Sequence, residues 1–235
     1  MLARIVLKRS ARHEGESPFW ISFSDLMSAL MVLFLVVMAV TLIAVTKSVT
    51  AEEEAKIQRE KDIRGVMSLI KRDSALKKVN VDESTYRIDL GEVVRFESGD
   101  YSIKADAAKF LRDYIPVLLD AKSTPEGQKW MRRVVVEGFT DQDGTYLYNL
   151  GLSLNRSRSV VCTLFGKPSV DERPLNEQQL RQIQDLFLVG GYSFNSIRQD
   201  KAASRRVELK IEFWGITEDR PSENKALAAK EFGQC

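Results

Sequence analysis

The sequence predicts an α+β protein: a single N-terminal transmembrane helix followed by a β-α-β-α-β-β domain built on a mixed sheet. Three observations predict it. One apolar run of 28 residues, from Phe19 to Thr46, is long enough to cross a bilayer. As a helix it would measure about 42 Å, against a hydrocarbon core of about 30 Å. A highly charged stretch rich in helix formers follows, and from about Asp82 segments of period 2 alternate with segments of period 3.6.

Residues 1–18 form a polar tail in which Arg4, Lys8, Arg9 and Arg12 outnumber Glu14 and Glu16, whereas the far side of the apolar run opens with Glu52, Glu53 and Glu54. Positive flanks stay cytoplasmic, so the N-terminus is expected inside and the bulk of the chain exported. Pro18 suits the first turn of the helix over 19–46. The run is too long for a signal-peptide core and lacks a small-residue cleavage site, which predicts a retained anchor. Residues 47–82 read as a charged helical linker. Its Ile63, Val66, Met67 and Ile70 fall at helical spacing, as expected if it continues the membrane helix or packs on a partner copy; a solvated linker fits the same pattern.

The globular part is assigned to residues 83–214. "TYRIDL" alternates as a strand, "ADAAKFLRDYIPVLLDA" has helical period, and "RRVVVEGF" is a buried strand. "NLGLSLNRSRSVVCTLF" returns to helix, "NEQQLRQIQ" can form a short one, and "DLFLVGGYSF" and "SRRVELKIEFW" close the sheet. Residues 215–235 are a polar tail. Cys162 and Cys235 both fall on the exported side, where a disulfide can form; two cysteines fix no framework, and unrelated thiols fit equally well.

Asp25 is the only charged residue in the apolar run. A charge there costs about 3 kcal/mol by insertion scales, so a plain anchor would carry Leu or Val instead. The economical reading is a carboxylate that binds and releases a cation, a proton or a sodium ion. Ser22, Ser28, Ala29 and Val32 lie three, four or seven positions away and share its helical face, a small and partly polar stripe suited to close helix contact and a wetted path. Ser22 and Ser28 are the candidate path-lining residues. Phe19 and Trp20 are interfacial anchors.

The chemistry of an enzyme is hard to find. The single histidine, His13, is on the cytoplasmic tail, Cys162 has no exported His to activate it, and no metal-ligand cluster stands out. No cofactor is expected. The net charge of +2 and a short basic tail give no reason to expect direct nucleic-acid binding.

The string "VVVEGFTDQDGTYLYNLGLSLNRSRSVV" resembles the OmpA-like peptidoglycan-binding domain, whose pattern runs G-H-T-D, a G, then N-x-x-L-S-x-x-R-A-x-x-V. Gly138, Thr140, Asp141, Gly144, Asn149, Leu152, Ser153, Arg156 and Val160 fall in register, and Ser204 to Glu208 match a later N-R-R-V-E. The resemblance covers roughly residues 83–214. It implies a site for diaminopimelate, a zwitterion of peptidoglycan stem peptides. Asp141 would take the ammonium and Arg156 the carboxylate. Asn149 and Leu152 would sit near the first turn of the helix and Tyr148 could stack on the peptide. Arg206 is the candidate second cation, with Arg205 turned to solvent. Phe139 stands where the family has His, and Ser157 where it has Ala.

A membrane helix with one Asp near its start, joined to such a domain, resembles the MotB family of stator subunits. "PFWISFSDLMSALMVLFLVV" is most similar to the form in the Zorya anti-phage defence system. That resemblance implies two copies inside a pentameric ring of polytopic ZorA-type subunits, driven by ion flow, with cytoplasmic effectors ZorC and ZorD acting on DNA. It further implies an inner-membrane protein with a periplasmic domain. A flagellar-type stator subunit and a passive membrane-to-wall tether are the alternatives.

Overall fold

The computed structural model describes residues 17–75, 79–91, 93–170, 172–219 and 231–235, with side chains from residue 23 onward. The basic tail that argues for orientation, and the side chains of Phe19, Trp20 and Ser22, lie outside the described residues. The chain divides into two units, one ending at Glu54 and one beginning at Ala55.

Helix α1 runs from Ser17 to Ala75. In the first unit its side chains from Phe23 to Glu54 are all exposed, among them Leu30, Phe34, Val37 and Leu42. An apolar surface bare all round is what a bilayer or other membrane helices cover, and the segment is long and apolar enough to cross a membrane. Several of its hydroxyls are satisfied locally. Ser28 donates to the Ser24 carbonyl at 2.7 Å, and Thr41 and Thr46 donate to carbonyls three or four residues back. That back-bonding removes the cost of a bare hydroxyl in hydrocarbon.

The second unit begins inside α1. Ile63, Val66, Met67 and Ile70 are at most 1% exposed and belong to the core of their own domain, so this face is not left for a partner copy. Polar ties fix it there. Trp130 Nε1 donates to Asp62 Oδ2 at 2.8 Å, and Ser74 and Tyr114 share a hydroxyl hydrogen bond of 2.7 Å.

Five strands form one mixed sheet: β1 (Asn80–Asp82), β2 (Arg87–Asp89), β3 (Met131–Gly138), β4 (Phe187–Gly191) and β5 (Val207–Phe213), in the order β1-β2-β5-β3-β4. The β3–β4 pair is parallel and the rest are antiparallel. The parallel pair is reached through α4 (Tyr146–Phe165) and α5 (Glu177–Leu186), as a crossover requires. Helix α2 (Ala105–Ser123) precedes β3, and two short helices, α3 (Pro125–Trp130) and α6 (Lys201–Ser204), complete the unit.

Period-2 alternation sorts the sheet's two faces. Ile88, Val134, Val136, Leu209 and Ile211 are buried with Leu111, Ile115 and Leu118 of α2 and Val160 and Leu164 of α4. The other face is ionic. Arg87 pairs with Glu137 and Glu208, and Arg133 pairs with Glu212 at 2.5 Å. The α+β architecture is the expected one. The strand β1 and the helices α3 and α6, at three, six and four residues, are additions to it.

Candidate functional site: the loop after strand β3

The matched motif builds one loop. Gly138 ends β3 beneath α4, where a Cβ would lie 2.0 Å from the Ser153 carbonyl oxygen, so only glycine lets helix and strand approach this closely. Gly144 has φ +98°, in the left-handed region that turns the chain into α4. Thr145 caps that helix, accepting from the Tyr148 N–H. Asn149, 1% exposed, donates Nδ2 to the Asp143 carbonyl at 2.8 Å, and Asp141 Oδ1 accepts the Asp143 N–H at 3.1 Å. Leu152 and Val160 face the core.

Arg156 has no exposed surface. Its Nε, NH1 and NH2 nitrogens donate to the carbonyls of Asp100, Phe139 and Glu97 at 2.9, 2.9 and 3.0 Å, and its guanidinium lies 5.0 Å from the centre of the Phe96 ring. It ties the loop of residues 96–100 to the end of β3. Burial pushes its pKa down to about 10, against the pull of the Asp141 charge.

The cation bonded to Asp141 is Arg205, not Arg206, and this corrects the sequence expectation. Arg205 NH1 meets Asp141 Oδ2 at 2.9 Å and its Nε donates to the Phe96 carbonyl at 3.0 Å. Arg206 lies apart, bonded to Glu208 at 2.6 Å and to the Ser196 carbonyl, with its guanidinium 4.3 Å from the centre of the Phe139 ring. The place of each residue in the chain is the physical reason. Arg206 lies two residues before Glu208 and pairs with it, whereas Arg205 is the C-cap residue of α6, at φ −82° and ψ 77°, outside the alternation of β5. Burial pushes the Asp141 carboxyl up, but the Arg205 bond, the Asp143 N–H and the charges of Arg205 and Arg156 outweigh it and hold the carboxyl below the usual carboxylate range.

Tyr148 is 56% exposed and its ring lies beside Gly144, with the hydroxyl near Gly99. Lys201 pairs with both oxygens of Asp143 at 2.7 Å. Thr140 Oγ1 is buried without a hydrogen-bond partner among the described residues. Phe139 stacks on Tyr192, and Ser157 donates to the Gly190 carbonyl at 2.9 Å, holding α4 to β4. The sequence reading missed Arg205 and the 96–100 loop. Neither carries a local signal, since Arg205 caps α6 rather than continuing β5.

Cys162 of α4 and Cys235 form a disulfide. Phe232 packs on Phe165 beside it, with Arg181 over the Phe232 ring. In the other unit Asp25 is exposed on α1, with Ser28 bonded to the helix backbone.

The family described as "Membrane MotB of proton-channel complex MotA/MotB" matches residues 7–53. The Zorya protein ZorB of Escherichia coli O139:H28 is 42% identical over 216 residues, 91% of this chain and 88% of that one. A second Zorya protein ZorB, from the Crooks strain of Escherichia coli, is 24% identical over 231 residues, 88% of this chain and 93% of its own. Among solved structures, a periplasmic domain of Helicobacter pylori MotB is similar at TM-score 0.39 and 16% identity, over 56% of this chain and 78% of that one. The OmpA-like domain of FopA1 from Francisella tularensis is similar at TM-score 0.36 and 15% identity, over 58% and 82%. A membrane-type helix with this family match, followed by a mixed-sheet domain, defines the class of MotB-like subunits. Within that class the chain belongs to the ZorB family of Zorya proteins.

Proposed function

We propose that this chain is the wall-anchored, ion-carrying subunit of a stator-like motor complex serving anti-phage defence. The observation that carries the reading is Asp25: the sole charge between Phe19 and Thr46, inside the segment matched to a membrane component of a proton-channel complex. A carboxylate at that depth is costly and persists where it does work. Asp25 binds and releases the translocated proton, with sodium the other candidate, and Ser22 and Ser28 line the path. Because one helix cannot enclose a wetted carboxylate, two copies sit inside a pentameric ring of ZorA-type polytopic subunits. The chain crosses the inner membrane once, N-terminus inside, and its second unit is periplasmic.

That unit binds peptidoglycan. Asp141, held ionised on a loop braced by Asn149, Leu152 and Arg156, takes the ammonium of a diaminopimelate side chain, and Tyr148 stacks on the peptide. The cytoplasmic effectors act downstream, and this chain performs no catalysis of its own. Asp25→Asn keeps shape and hydrogen bonding but cannot cycle charge. Cells carrying it should assemble the complex at normal levels and lose protection in plaque assays. Full protection would leave Asp25 structural and remove the motor reading.

A further inference from the structure

Far along α4 from the wall loop, an apolar groove runs between α4 and α5. Val161 and Phe165 of α4, Ile183 of α5 and Phe187 wall it, and residues 231–235 lie along its rim. The Phe232 ring centre is 5.0 Å from that of Phe165, and the Arg181 guanidinium lies 4.3 Å from the centre of the Phe232 ring. The seat is shallow. Phe232 stays 36% exposed, and a cavity of about 290 Å³ remains in the groove. Burying part of one ring contributes less than ordering five residues costs, so these contacts alone do not hold the segment. The Cys162–Cys235 bond does.

We propose that residues 231–235 are a redox-operated strap: oxidised, they cover the α4–α5 groove, and reduction of the Cys162–Cys235 bond by a dithiol releases them and uncovers it. Cys235 is exposed and Cys162 half-buried, so an incoming dithiol meets Cys235 first. One of its sulfurs attacks Cys235 Sγ as a thiolate. The bond between the two cysteines breaks, and Cys162 leaves as a thiolate and takes up a proton. The second sulfur of the dithiol then displaces Cys235, which is protonated in turn. Two electrons pass to the chain, and the dithiol ends as its own disulfide.

The groove opens without the fold coming apart. Val160 and Leu164, on either side of Cys162 in α4, are at most 1% exposed and belong to the core beneath the sheet, so the helix keeps its place when the strap leaves. What the strap uncovers is the apolar surface of Val161, Phe165, Ile183 and Phe187.

The chain has two cysteines, so a reductant acts on this bond alone. The test treats the full-length protein in detergent with dithiothreitol under native conditions. Thiols are counted by mass spectrometry after alkylation, and each form is exposed briefly to chymotrypsin. Reduction should proceed at a rate proportional to dithiothreitol, with the far-ultraviolet circular dichroism unchanged. Cleavage after Phe232 should be about tenfold or more faster in the reduced form, because the ring must leave the groove to enter the protease. Cys162→Ser should match the reduced form with no reductant present; if it does not fold, Cys235→Ser is read instead. A reduction rate independent of dithiothreitol, the mark of a bond opened only by global unfolding, overturns the proposal. So does equal cleavage at Phe232 in the two forms, or loss of the fold on reduction, in which case the bond holds the core and not a strap.

Discussion

Replacing Arg156 with Leu should weaken the fold more than any exposed change on the same helix. Three charge-assisted hydrogen bonds disappear, to the carbonyls of Asp100, Phe139 and Glu97. At about 1.5–3 kcal/mol each, their gross loss is about 5–9 kcal/mol. Removing the cation also removes its own desolvation cost, several kcal/mol for a group this buried. The difference leaves a net destabilisation of about 2–4 kcal/mol, or a fall in Tm of roughly 5–15 °C for a unit of this size. The assay is urea unfolding of the full-length protein, followed by tryptophan fluorescence, with Arg158→Leu as the exposed control on α4. A midpoint change for Arg156→Leu no larger than the control's, within about 0.5 kcal/mol, would refute the view that Arg156 braces the loop.

Two further outcomes follow from the second unit. The Cys162–Cys235 bridge spans 73 residues of sequence, so Cys235→Ser should cost up to about 4 kcal/mol in unfolding experiments; an unchanged non-reducing melt would show that the bond does not constrain the chain. The folded pKa of Asp141 is depressed, so its contribution to stability is present above the unfolded carboxylate value and is lost as pH falls through the folded one. Asp141→Asn should therefore flatten the acid limb of the stability profile, read by thermal melts from pH 6 to pH 2; an unaltered limb contradicts the ion pair.

Much of this was legible in the sequence because local rules and tertiary needs agree there. Strand β3 is a run of β-branched residues, and α4 carries the long motif. The motif named the right loop but not the work of each member. Gly138, Asn149 and Arg156 shape and brace the loop, and Asp141 carries the carboxylate that Arg205 pairs with. Arg205 was not recoverable, because it caps α6 outside the alternation of β5, and the pattern of the strand says nothing of where a cap residue points. The face of Ile63, Val66, Met67 and Ile70 was visible, but periodicity gives a buried stripe without saying what buries it; the domain's own core does. Strand β1 has three residues, too few for alternation to register. The cysteine pairing depends on where the terminal segment docks, which no spacing encodes.

If Asp25 carries the transported ion, proton flux through the assembled complex depends on its carboxylate. The chain and its polytopic ring partner would be reconstituted together in vesicles with a pH-sensitive dye inside, under an imposed proton gradient. The wild-type complex should show flux, Asp25→Asn none above empty vesicles, and both should assemble equally by size-exclusion chromatography. Equal flux through the Asn complex would contradict it.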